Sequence, residues 1–207
     1  ELEKEPTEFE ATSPGHPVFA EYMGAHWCPP CKTISANLNN LYGTNGGGGS
    51  QSEDFTYISF WESSSTGWPS DSPINRRAHI QNAPGYTGGI PVTVLGDAPS
   101  GTYYHVGGGA MDSKYTSGGN TQNANDYSVT VIQSQNGNNM DIDITATYTG
   151  SGTKTVYFYA AVTEETSPET YDGGSPNPHH VWKKWLLNGA NNGFESASLS
   201  SGNSVTK

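Results

Sequence analysis

Val18–Tyr42, VFAEYMGAHWCPPCKTISANLNNLY, runs from a strand pattern through two cysteines into a helical pattern. The strand signal covers His16–Met23, where apolar and aromatic residues dominate. After Cys31, Ile34, Leu38 and Leu41 recur at spacings of four and three, which marks one helix face. Gly43, next to Tyr42, predicts the stop. Cys28 and Cys31 are the protein's two cysteines. A pair two residues apart, fed by a strand and followed by a helix, reads as a redox dithiol rather than a metal knuckle.

The chemistry favours that arrangement. A helix N-terminus carries partial positive charge and stabilises a thiolate at Cys28. Two intervening residues put Cys31 one turn in, within reach of a mixed disulfide on Cys28. Pro29 and Pro30 suit a first helical turn, where the N–H that proline lacks would be unpaired. Two other readings stay open. An inert bridge is one, but closing so short a loop removes little unfolded-state entropy. A zinc site is the other, and it needs about four ligands. His26 and His105 could join the thiols, but at no known finger spacing. The expected site therefore needs neither metal nor organic cofactor.

Outward from this core, Phe55–Trp61 predicts a second strand. A Ser-rich loop follows from Glu62 to Pro73, then a short helix over Ile74–Asn82. Ile90–Leu95 predicts a third strand, and Thr102–Val106 its hairpin partner across the turn Gly96–Gly101. Residues 1–15 read as a polar lead-in, 16–106 as one α/β domain and 107–125 as a Gly, Ser and Asn linker. From 126 to 207 the pattern alternates: Tyr127–Gln133, Met140–Tyr148 and Lys154–Thr163 predict strands of an all-β antiparallel sandwich. His180–Leu187 is ambiguous, with a strand anchored by Val181 and Trp185 favoured. Five strands or fewer leave such a sandwich incomplete: either the chain is truncated, or a further segment or a neighbouring chain closes the sheet. That makes self-assembly through the sandwich the rival function class: a structural or adhesive surface subunit.

Composition narrows the classes. Nine Lys and Arg against 20 Asp and Glu leave a net charge of −11, which repels nucleic acid. No apolar run is long enough to span a bilayer, so a membrane would be reached only through a terminal anchor. Ser, Thr, Gly and Asn in place of surface Lys and Glu suggest an extracellular, periplasmic or cell-surface protein. His179–His180 reads as a surface pair rather than a metal site, and Trp61 and Trp68 as core or loop anchors.

The strand–WCPPC–helix segment and Gly89-Ile90-Pro91 together resemble the thioredoxin superfamily. That resemblance implies an α/β thioredoxin-like domain followed by the sandwich. It implies a cis Pro91 beside the dithiol, and an Ile90 backbone that pairs with an extended substrate carrying a protein thiol or disulfide. Trp27 would shield the pair. Glu21 lies seven residues before Cys28, one more than that family's buried acid. Through a local bulge it would serve as proton carrier for Cys31; an exposed edge-strand carboxylate is the alternative. The whole chain also resembles a family of bacterial outer-membrane lipoproteins with this architecture. The matching residues are Glu21 and Gly24 before Trp27-Cys28, Val162–Glu165 (VTEE), and His180–Lys183, where Lys183 replaces the usual arginine.

Overall fold

The computed structural model describes residues 6–10, 18–45, 55–62, 88–95, 124–174, 177–187 and 194–207. Among these residues the chain is mostly β-sheet with one helix. It forms two compact units.

The first unit holds a five-stranded sheet and the helix. Its strands are β2 (Val18–Ala25), β3 (Phe55–Glu62), β4 (Val92–Leu95), β8 (Ala161–Thr166) and β9 (His179–Trp185), in the order β4-β2-β3-β9-β8. β2 pairs in parallel with β3 over its whole length and antiparallel with β4. β9 joins β3 in parallel at Ser59↔Val181, and β8 closes the row antiparallel to β9. Side chains alternate between faces. On one face Ala20, Tyr22, Tyr57, Trp61 and Val181 pack with Cys31, Ile34 and Leu38 of α1 (Pro29–Asn45). On the other, Met23, Ile58, Phe60, Val92, Val94 and Trp185 form a second cluster. The helix begins at Pro29 as proline pairs favour, and buries Ile34 and Leu38 as their spacing predicts. It runs past Gly43 to Asn45, longer than that glycine suggests.

The second unit contains a four-stranded antiparallel sheet, β1-β5-β6-β11, and a two-stranded sheet, β10-β7. Its strands are β1 (Pro6–Glu10), β5 (Tyr127–Asn136), β6 (Asn139–Tyr148), β7 (Thr153–Tyr159), β10 (Phe194–Ser200) and β11 (Asn203–Thr206). Gly137, at φ 62°, takes the first central place of the β5–β6 turn, where glycine is favoured. Ala146, Tyr148, Phe158 and Leu199 are its buried apolar residues. Paired hydroxyls tie β6 to β11, Thr145 to Thr206 and Thr147 to Ser204, each at 2.7 Å.

Three expectations need correction. Residues 126–207 are not one sandwich, because β8 and β9 belong to the five-stranded sheet against which α1 packs. The Lys154–Thr163 run is not one strand. It divides at Ala160, where the more buried positions shift from Val156 and Phe158 to Ala161 and Thr163. A strand that changes parity has changed the face it buries. Finally, the 1–15 lead-in contains β1, which pairs with β5 from Pro6↔Ile132 to Glu10↔Ser128. An acidic pentapeptide has no core pattern of its own and depends on the edge that β5 offers. The expected helix at 74–82, the hairpin partner at 102–106, Trp68, His105 and the linker up to residue 123 lie outside the described residues.

Candidate active site

Cys28 and Cys31 form a disulfide with a Cα separation of 5.2 Å. Cys28 sits one residue before α1 and Cys31 in its first turn. Both cysteines are buried, Cys28 keeping 4% of its surface and Cys31 none. Trp27 beside them is 51% exposed, too open to seal the pair by itself. The Ile90–Pro91 bond is cis, after Gly88 and Gly89 at φ 94° and 81°. Ile90 packs against the cluster that includes both cysteines and also against the cluster on the other face of the sheet.

The helix start has little left to offer a thiolate. The Cys28 amide donates to Ala25 O at 3.2 Å, and the Cys31 amide to Cys28 O at 3.0 Å. Pro29 and Pro30, both exposed, have no N–H. The donors that an N-terminus ordinarily leaves free are thus occupied or absent.

Glu21 is buried, which rules out the edge reading, since β2 lies between β3 and β4. It also does not lie under the dithiol. The β2–β3 register is unbroken from Val18↔Phe55 to Ala25↔Glu62, so no bulge re-aims it. Alternation sets Glu21 with Met23, opposite Ala20 and Tyr22. The residue six before Cys28 is Tyr22, and its hydroxyl donates to the Cys31 carbonyl at 2.8 Å. The phenol at position 22, not the carboxylate at 21, contacts the dithiol turn.

Sequence reasoning also missed Tyr171. It follows β8 by five residues, yet it is buried in the dithiol cluster. Its hydroxyl lies 3.2 Å from that of Tyr22, and its ring meets Trp61 edge-on at 5.7 Å. The next residue, Asp172, donates its amide to His26 O at 2.9 Å. Burial, with a neighbouring phenol second, holds Tyr22 and Tyr57 above the ordinary tyrosine range. Burial also raises Tyr171; Ser35, Tyr22 and Trp61 near its oxygen oppose the rise, although Ser35 and Trp61 lack good hydrogen-bond geometry.

These phenols are neutral when folded, and ionise first in the unfolded chain as pH passes about 10. Their contribution is therefore constant below that pH and lost above it, by about 1.4 kcal/mol per phenol per pH unit. Denaturant titrations from pH 8 to 12 should show this fall. Tyr22, Tyr57 and Tyr171 should gain tyrosinate absorbance only on unfolding, and ionisation with the exposed tyrosines would contradict the burial.

The two histidines of β9 do not form a surface pair. His180, at φ 51°, lies edge-on between Tyr42 and Tyr57, with ring centroids at 4.2 and 4.6 Å. His179 Nδ1 lies 3.1 Å from both Glu165 O and Thr166 Oγ1. Trp61 is a core residue, at 3% exposure.

The fold has a counterpart among solved structures. HBP35 of Porphyromonas gingivalis is similar, with a TM-score of 0.60 at 10% sequence identity. The match covers 92% of this chain and 62% of HBP35, so the chain spans less than two thirds of that protein. At this identity the likeness concerns the fold. No protein-family model matches the sequence, and no curated protein does.

Proposed function

We propose that the protein is an exported thiol–disulfide oxidoreductase of the thioredoxin type. The observation that carries this reading is the asymmetry of the disulfide at the start of α1. Cys28 touches solvent and Cys31 does not, which suits one sulfur to attack and the other to resolve. The cis Ile90–Pro91 bond supports it, in a loop whose Ile90 packs on the cluster that includes both cysteines and would pair with an extended partner. The sulfur pair carries both electrons, so the reaction uses protein thiols or disulfides alone. No helix among the described residues is long and apolar enough to cross a membrane. The scarcity of Lys and Arg supports a place outside the cytoplasm. The test is dithiothreitol-driven reduction of insulin: the intact protein should accelerate it, and equal rates with and without protein would end the proposal.

Within that reading, the protein works as a reductant. With two prolines at the helix start, a Cys28 thiolate receives few donors, which makes its disulfide reluctant to accept electrons. Pro30→Ala returns one N–H. Cys28 should then titrate about one unit lower, since a charge-assisted hydrogen bond is worth roughly that much. Thiolate absorbance against pH measures it, and an unchanged midpoint would refute the argument.

A second function has one observation in its favour. Among the described residues, β10 and β7 pair only with each other, so each has an outer edge with no described neighbour. A strand from another copy would extend that sheet. Size-exclusion chromatography across a range of concentrations tests this; a monomer throughout would dismiss it.

A further inference from the structure

The Tyr22 hydroxyl has one proton, and it goes to the Cys31 carbonyl at 2.8 Å. The Tyr171 hydroxyl, 3.2 Å from Tyr22, must therefore be the donor between the two oxygens. The bonds run in one direction, from Tyr171 to Tyr22 to Cys31. Both phenols are buried, at 2% and 0% exposure, so water does not compete for these bonds. The Tyr22 ring lies over Gly24, and a Cβ on that residue would overlap its ring and hydroxyl. The connection between β8 and β9 thus holds the motif from both sides. Asp172 grips His26 just before Trp27-Cys28, and Tyr171 reaches Cys31 through Tyr22.

We propose that Tyr22 and Tyr171 are positioning residues that fix the first turn of α1, keeping Cys31 directed at Cys28 for the resolving half of exchange. The proposal rests on the redox reading above. In the first half, the Cys28 thiolate attacks a disulfide, bonds to one sulfur and expels the other as a thiolate. In the second, Cys31 loses its proton and attacks the Cys28 sulfur. The Cys28–Cys31 bond forms, the mixed disulfide breaks, and the second thiolate leaves, taking up a proton. The partner disulfide is reduced and the dithiol oxidised. The phenols tie the backbone of Cys31, whereas the Cys28 amide is bonded to Ala25. Their loss should consequently show in the second half.

The reduced protein is mixed with oxidised glutathione and quenched in acid, and the Cys28–glutathione adduct is counted by mass spectrometry over time. Tyr171→Phe and Tyr22→Phe keep the rings and remove one hydroxyl each. Tyr22→Phe removes the bond to Cys31 and should lengthen the adduct's lifetime about five-fold, the worth of one hydrogen bond; Tyr171→Phe leaves that bond but not its support and should lengthen it less, and neither should change adduct formation more than about two-fold. The double variant should match Tyr22→Phe, because Tyr171 acts through Tyr22. Gly24→Ala should lengthen the lifetime too, by pushing the phenol off its seat while both hydroxyls remain. An unchanged lifetime, equal slowing of both halves, or additive effects in the double variant would overturn the proposal while leaving the redox reading intact. If the unaltered protein formed neither adduct nor Cys28–Cys31 bond, the redox reading would fall with it.

Discussion

Cys31→Ser should leave the protein covalently joined to its partners. Only Cys28 touches solvent, so the first attack survives the substitution. The sulfur that would resolve the adduct is gone, and serine is too poor a nucleophile to replace it. Non-reducing gels of cells or of an insulin reaction should show a ladder that collapses with dithiothreitol. Cys28→Ser is the counterpart. Cys31 remains, but at zero exposure it cannot be reached, so insulin reduction should fall to the uncatalysed rate. If Cys28→Ser kept most of the activity, the assigned order of attack would be wrong. A protein using the bridge only as a staple would show no ladder with either variant.

A fragment ending at Asn125 should fail to fold, although the sequence pattern places a complete domain before that point. The fragment lacks β9, which lies between β3 and β8, and with it Tyr171, Val181 and Trp185. Each of these buried side chains is worth roughly 1.5–3 kcal/mol. Their sum rivals the whole margin of an ordinary domain, about 5–15 kcal/mol. The fragment would also leave the outer edge of β3 bare, with Ser59 losing its 2.7 Å bond to His179 O. Circular dichroism should show no cooperative thermal transition, whereas the full chain melts sharply. A sharp transition in the fragment would mean that β9 is an accessory to the sheet rather than part of its core.

What the sequence made legible was local. The β2–α1 passage, the inward residues Ile34 and Leu38, the loop at Ile90–Pro91 and the β5–β6 hairpin each declare themselves within a dozen residues. The anchors Val181 and Trp185 were also legible, because β-branched and aromatic residues mark a buried strand in any sheet. Which sheet was not legible. β9 pairs with β3 across more than a hundred residues, and nothing in HHVWKKW names its neighbour. The role expected of Glu21 was wrong for a different reason. A carboxylate advertises proton chemistry, but strand parity decides which residue faces the helix, and Tyr22 has the right parity. Tyr171 lay beyond any local pattern, since its role appears only once the strand before it has joined the other half.

That joining has a consequence for how the protein is made. Tyr22 and Tyr171 are 149 residues apart, so the nascent chain presents its cysteines long before their floor has been synthesised. Until β9 emerges, the thiols stand in an unfinished hydrophobic cluster, open to oxidants and to wrong partners. An organism that makes this protein has to shelter those thiols during synthesis, or repair the bonds they form too early.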